Sequence, residues 1–334
     1  MFRHKRSIPQ GDFSHISSET LFMYVLPPPL YEADHIPASR AVAINGYRFA
    51  GTRQRLTQPL EPRTSMGWPK FDVTPVPGEF NSGKYPFLRC TTHGNKAHCP
   101  TDCTDDLIAV GVFEEHLTEA EIKARQGQAY ICIYQRFPKD ETREYGPEFL
   151  LCKPIRDVLG SPAHHSVLCR AYFGPLLSGI QFHWSNIKYP IKIGLNPHSL
   201  EMHTLISAWL RTLKRGVVQG DRSKSDKTLA PIVAERTWEA IKYFAQQMYP
   251  DDYSEWLVGA QVVWDNIVYP SWITGSAVFR GFTDFPTGLA ITTELNSLAF
   301  FMERYLLLSV YAEQRGVSFS PEDFMTQFVH AQTG

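Results

Sequence analysis

Apolar and polar positions alternate poorly over the first hundred residues. Pro27–Pro29, Pro59, Pro62, Pro69, Pro75 and Pro77 interrupt the pattern, and only Arg40–Phe49 (RAVAINGYRF) reads as a strand. Long surface loops wrapped on a later core are expected there. From Asp106 the signal sharpens. LIAVGVF (Leu107–Phe113) predicts a buried strand, and TEAEIKARQ after it predicts a helix whose Thr118 and Glu121 are spaced as a capping box. AYICIYQRF and EFLLCKPI predict two further strands.

The second half is more regular. Ser199–Leu213 carries Leu200, Leu205, Leu210 and Leu213 and predicts a helix. Pro231–Gln247 predicts an amphipathic helix with Ile232, Trp238, Ile241 and Phe244 on its apolar face. SAVFRGF predicts a strand, and LNSLAFFMERYLLLSVYAEQR a long helix stopping at Gly316. A last helix begins at Ser320-Pro321, an N-cap followed by proline at the first helical position.

One string occurs twice. Gly179–Pro190 reads GIQFHWSNIKYP and Gly259–Pro270 reads GAQVVWDNIVYP, with Gly, Gln, Trp, Asn, Ile, Tyr and Pro shared. The alternation of Ile180, Phe182 and Trp184 against Gln181 and His183 predicts a strand ended by Pro190. Each copy precedes a helical segment, so the pattern suggests a duplicated unit. Trp184 and Trp264 read as core anchors, because large aromatics are mostly buried. The polar run Gly216–Lys227 (GVVQGDRSKSDK) reads as a linker. The expected fold is therefore α+β, with a loop-rich N-terminal region and two related parts, residues 1–215 and 226–334.

Composition fits a globular protein: 334 residues, 43% hydrophobic, 20% charged, net charge −1. No overall field recruits nucleic acid or an anionic membrane, so neither is expected as a partner. Leu298–Ala312 is interrupted by Glu303 and Arg304, and LFMYVL at Leu21–Leu26 is too short for a signal core and ends in prolines. Cys132, Cys152 and Cys169 sit in apolar strings, as buried thiols of a reducing compartment do, and a cytoplasmic location is expected.

Short motifs for chemistry are sparse. GEFNSGKY (Gly78–Tyr85) approaches a phosphate loop, but prolines precede it, Tyr85 replaces the hydroxyl residue, and Pro86 blocks a following helix. Cys90, His93, Cys99 and Cys103 form a better candidate, since zinc takes four N or S ligands and stabilises loops lacking a core. Free thiols in a polar loop are the plainer reading, and a Cys99–Cys103 or Cys90–Cys103 disulfide is a third. No cofactor is otherwise expected. His198 and His203 do not share a helix face, and adjacent His164 and His165 are expected to diverge.

Surface charge supplies the remaining hint. Asp102, Asp105, Asp106, Glu114, Glu115, Glu119 and Glu121 form an acidic stretch free of Lys and Arg, and YPDDYSEW adds Asp251, Asp252, Tyr253 and Trp256. Acids steer a basic partner and aromatic anchors hold it. The sequence alone thus favours a non-enzymatic protein-binding module, of the kind an immunity protein neutralising a bacterial toxin would be. Its partner-binding face would comprise Asp105, Asp106, Glu114, Glu115, Asp251, Asp252, Tyr253 and Trp256. A hydrolase or transferase with a dispersed site, and a carbohydrate or small-ligand binder, are the alternatives.

Overall fold

A computed structural model describes residues 35–47, 57–69, 82–100, 103, 105–138, 157–177, 180, 191, 193, 198–212, 229–282 and 285–327. Its first element departs from the alternation: Arg40–Asn45 is a helix, α1, not a strand. Ser39 caps it by accepting from the Val42 amide at 3.4 Å. Its last residue is fixed from elsewhere in the chain. The Asn45 side chain donates to the Leu107 carbonyl at 2.9 Å and accepts from the Leu107 amide at 2.6 Å, both bonds being buried. Gly46 then turns away at φ 83°, where a Cβ would fall 2.0 Å from the Thr57 carbonyl oxygen, so only glycine fits.

Leu107 belongs to the first sheet. β1 (Leu88–Cys90) lies between β2 (Gly94–Asn95) and β3 (Leu107–Ala109), antiparallel to both. The strand expected over Leu107–Phe113 is cut short, because α2 starts at Val112 and runs to Arg125. Thr118 and Glu121 consequently sit inside α2 and cap nothing. Both accept from the Arg40 guanidinium instead, Thr118 Oγ1 at 3.0 Å and Glu121 Oε1 at 3.0 Å. A long-range clamp replaces the expected local cap.

The second sheet has the order β5-β4-β6-β7. β4 (Ile133–Pro138) runs antiparallel to β5 (Asp157–Gly160) and parallel to β6 (Ser271–Thr274), and β7 (Ala277–Arg280) closes a hairpin with β6. The helices are α3 (Ala163–Leu177), α4 (Leu200–Thr212), α5 (Pro231–Met248), α6 (Tyr253–Val268), α7 (Thr292–Glu313) and α8 (Pro321–Gln327). α4, α5, α7 and α8 fall where apolar spacing predicts them. At α8 the cap is reciprocal: Ser320 Oγ accepts from the Asp323 amide at 3.1 Å, and Asp323 accepts from the Ser320 amide at 2.9 Å.

The second copy of the repeated string is helical, not a strand, and forms most of α6. Its buried positions, Gly259, Ala260, Val263, Trp264, Ile267 and Val268, recur at helical spacing. The first copy lies outside the described residues except for Ile180, so Trp184 has no structural counterpart to compare. Trp264 is a core anchor. It stacks on Trp238 at 5.1 Å and 13° and meets Phe173 and Phe285 edge-on. One apolar core runs from Ile36 to Phe324 and draws on both sequence halves. The parallel pairing of β4 with β6 also joins those halves.

Candidate functional site

The β6–β7 hairpin leads into a tightly tied loop. Gly275 supplies the left-handed turn at its tip (φ 60°), and every residue of β7 is exposed. Trp272 and Phe279 stack across the strands at 6.2 Å, while Tyr269 meets Phe282 edge-on at 6.3 Å. Phe282 is 74% exposed and Phe279 49%. Beyond them Phe285 turns back into the core. Thr287 Oγ1 then accepts from the Leu159 amide at 3.2 Å, and the Gly288 amide donates to the Leu159 carbonyl at 2.9 Å. Gly288 thereby bridges in parallel to Gly160 at the end of β5.

Thr292 finishes the loop. Its hydroxyl lies 2.8 Å from both the Pro286 and Leu289 carbonyls and accepts from the Leu289 amide at 3.2 Å. Loop Pro286–Ile291 is thus held at the start of α7, while hairpin aromatics stand outside it. An open cleft of about 500 Å³ adjoins the hairpin, lined by Trp68, Pro69, Gln135, Arg136, Ile273 and Gly275. Arg136 in that cleft is ion-paired with Asp157.

A second cluster sits at the other sheet. Cys90 ends β1, His93 follows in the turn before β2, Cys99 follows the short 3-10 helix Lys96–His98, and Cys103 precedes β3. One ligand atom from each of the four lies within 4.8 Å of the others. Cys90 Sγ is 3.6 Å from His93 Nδ1 and 3.9 Å from Cys103 Sγ, and Cys103 Sγ is 3.7 Å from His93 Nδ1. The thiols are free. Burial alone would raise the Cys90 thiol, but hydrogen bonds from His93 and Thr92 outweigh it and bring it down. Cys99 is pushed up by burial and by its thiol neighbours.

Other residues singled out from sequence are committed to structure. Lys84 is buried, and its ammonium contacts the Thr64 hydroxyl, the Thr64 carbonyl (3.2 Å) and the Ser65 carbonyl (2.8 Å). It ties down that turn, which accords with rejecting the phosphate-loop reading. His164 and His165 lie in α3, not a loop. They diverge as expected, His164 Nε2 donating to the Ile131 carbonyl at 2.8 Å and His165 bonding the Tyr130 hydroxyl at 2.6 Å. Burial pushes them down to about 4 and about 3, so they are neutral near pH 7.

The acidic–aromatic face does not form as expected. Trp256 is fully buried, its indole N–H donating to the Tyr172 carbonyl at 2.9 Å, so it cannot anchor a partner. Asp252 accepts from the Ile36 amide at 3.0 Å, and Tyr253 is half-buried against Trp256. Glu114 and Glu115 stand exposed in the first turn of α2, Glu114 being 3.9 Å from the Arg40 guanidinium. Asp105 lies 3.6 Å from His93, Asp106 and Asp251 are exposed, and Asp102 lies outside the described residues.

Among solved structures the chain resembles the "Sicinivirus 3Dpol RNA dependent RNA polymerase", with a TM-score of 0.53 at 16% identity, over 91% of this chain and 59% of that one. Residues 83–328 match the family described as "Viral RNA-dependent RNA polymerase", and the chain belongs to that family. No curated protein matches it. It spans less than two thirds of the Sicinivirus polymerase.

Two expectations are corrected by that match. An immunity protein occluding a toxin is overturned, because the family is one of polymerases. The expectation that excluded nucleic acid falls with it, since the family is one of RNA-dependent RNA polymerases. Near-neutral net charge misled here, because it averages over the whole surface. For membranes, no helix among the described residues is long and apolar enough to cross one.

Polymerases use divalent metal ions, held by carboxylates and substrate phosphates. The donors described here do not fit that role. Among the described residues the one cluster of three or more metal-ligating groups is thiol and imidazole, whose softness suits zinc rather than magnesium. Asp221 and Asp226 belong to the polar run Gly216–Lys227, which lies inside the family match and outside the described residues.

Proposed function

We propose that this chain acts in RNA-dependent RNA synthesis by engaging an RNA template along its β6–β7 hairpin. Family membership over residues 83–328 carries the reading. The hairpin supplies chemistry suited to it. Trp272, Tyr269, Phe279 and Phe282 offer aromatic faces beside Arg280, and bases of any sequence stack on such faces. A polymerase copying any template needs that tolerance. The loop tied by Gly288 and Thr292 would hold the hairpin at a fixed distance from α7, so template and helix keep one register.

For the carboxylates we look to Asp221 and Asp226. Four residues separate them in the sequence, and paired carboxylates are the donors that hold Mg²⁺ together with substrate phosphates. The test is primer extension by the purified chain on a primed RNA template, with all four nucleoside triphosphates and Mg²⁺, beside Asp221→Asn and Asp226→Asn. Extension by the parent, lost in both variants while their RNA binding persists, supports the assignment. Unchanged extension in both variants removes these aspartates from the chemistry. RNA binding by none of the three removes the template reading itself.

A further inference from the structure

We propose that Cys90, His93, Cys99 and Cys103 bind one structural Zn²⁺ that closes the connection between β1 and β3. The argument starts from distances. Zinc takes sulfur at about 2.3 Å and nitrogen at about 2.0–2.1 Å in tetrahedral sites, which sets ligand atoms roughly 3.5–3.8 Å apart. Cys90 to His93, Cys103 to His93 and Cys90 to Cys103 measure 3.6, 3.7 and 3.9 Å. Cys99 lies within 4.8 Å of all three and completes the fourth corner. A disulfide needs its sulfurs at about 2.05 Å, far inside the 3.9 Å between Cys90 and Cys103.

The surroundings call for such a link. Among the described residues between β1 and β3 are only the two-residue strand β2 and one turn of 3-10 helix, and Thr91, Thr92 and His93 are exposed. Little apolar surface is available there to fix the loop, and short metal-closed loops arise where a core is missing. Three thiolates and one imidazole around Zn²⁺ carry one net negative charge. Lys96, whose ammonium lies 3.4 Å from the Cys103 carbonyl, is placed to offset it. Asp105 Oδ2 lies 3.6 Å from the same Nδ1 of His93, so it stands beside the ligand atom and not on the outer nitrogen of the ring.

Closing this loop has a mechanical consequence. Leu107 of β3 is the residue that Asn45 grips through two buried hydrogen bonds, so the cluster, β3 and α1 form one connected unit. The site is independent of the RNA reading, and neither result bears on the other.

The experiment uses the full chain purified under reducing conditions without added chelator. Elemental analysis is expected to give close to one zinc per chain. Zn²⁺-stripped protein titrated with Co²⁺ alone is expected to develop the visible bands of tetrahedral thiolate-bound cobalt, saturating at one equivalent. Cys99→Ser and His93→Ala should weaken Co²⁺ binding at least tenfold, while His98→Ala, next to the cluster, should not. Parent protein that is metal-free and gives no cobalt bands overturns the site, and that measurement does not depend on any variant folding. Zinc retained undiminished by both ligand variants also overturns it. So does a disulfide mapped to Cys90, Cys99 or Cys103 in a second preparation made without reductant.

Discussion

Gly160 and Gly288 face each other across a parallel bridge that joins the end of β5 to the loop before α7. A Cβ on Gly288 would fall 2.4 Å from the Leu159 carbonyl oxygen and 2.9 Å from the Gly160 Cα, both rigid backbone atoms. Glycine is required here by space alone. Gly288→Ala should therefore push the loop off β5 and cost about 1–3 kcal/mol, the usual range for overpacking. Chemical denaturation of parent and variant measures this. Equal midpoints would show that the loop yields freely.

Trp264 should be far more costly to remove. It is 4% exposed and packed between Trp238, Phe173 and Phe285. Trp264→Ala is expected to lose about 3–5 kcal/mol, as emptied aromatic sites do. Near-zero loss would mean that the aromatic cluster does not support the fold.

How much of this was readable in the sequence depends on where each residue's partner lies. α8 was legible because Ser320 and Asp323 cap each other three residues apart. α1 was not, because Asn45 takes its buried partner from Leu107, 62 residues away. α6 carried a helical period, but the strand expected of the repeated string rests on the alternation of Ile180, Phe182 and Trp184 in its first copy, which the second does not share. The cysteine cluster was legible through ligand type and spacing. The hairpin and its loop were not, since Gly288 owes its identity to Leu159, which no local pattern records.

Acid should destabilise the protein through α3. Burial lowers His164 to about 4 and His165 to about 3, with His116 facing His164 at 6.4 Å and Glu119 nearby. Below about pH 6.5, the unfolded-state value, the unfolded chain binds protons that the folded chain refuses. Stability is therefore intact above that pH and falls as pH drops toward about 4 and then about 3. Each histidine contributes a slope of up to about 1.4 kcal/mol per pH unit within its window. Melting temperatures between pH 7 and pH 4 measure it, and His164→Gln should flatten the curve. An identical slope in that variant would assign acid sensitivity elsewhere.

Hairpin aromatics should matter to RNA and not to the fold. Phe282→Ala and Phe279→Ala remove exposed rings, so melting should barely move. Base–aromatic stacking contributes about 1–3 kcal/mol per base, so each variant should bind single-stranded RNA roughly 5–150-fold more weakly. Parent-like affinity in both would place the template on another surface.

Most directly, the central claim rests on whether the folded chain binds RNA. Fluorescence anisotropy of a labelled single-stranded RNA, titrated with purified chain at two salt concentrations, decides it. Saturable binding that weakens as salt rises and tolerates a change of base sequence is the expected result, as phosphate contacts and stacking dictate. A folded chain that leaves the anisotropy unchanged at every concentration and salt would contradict the account.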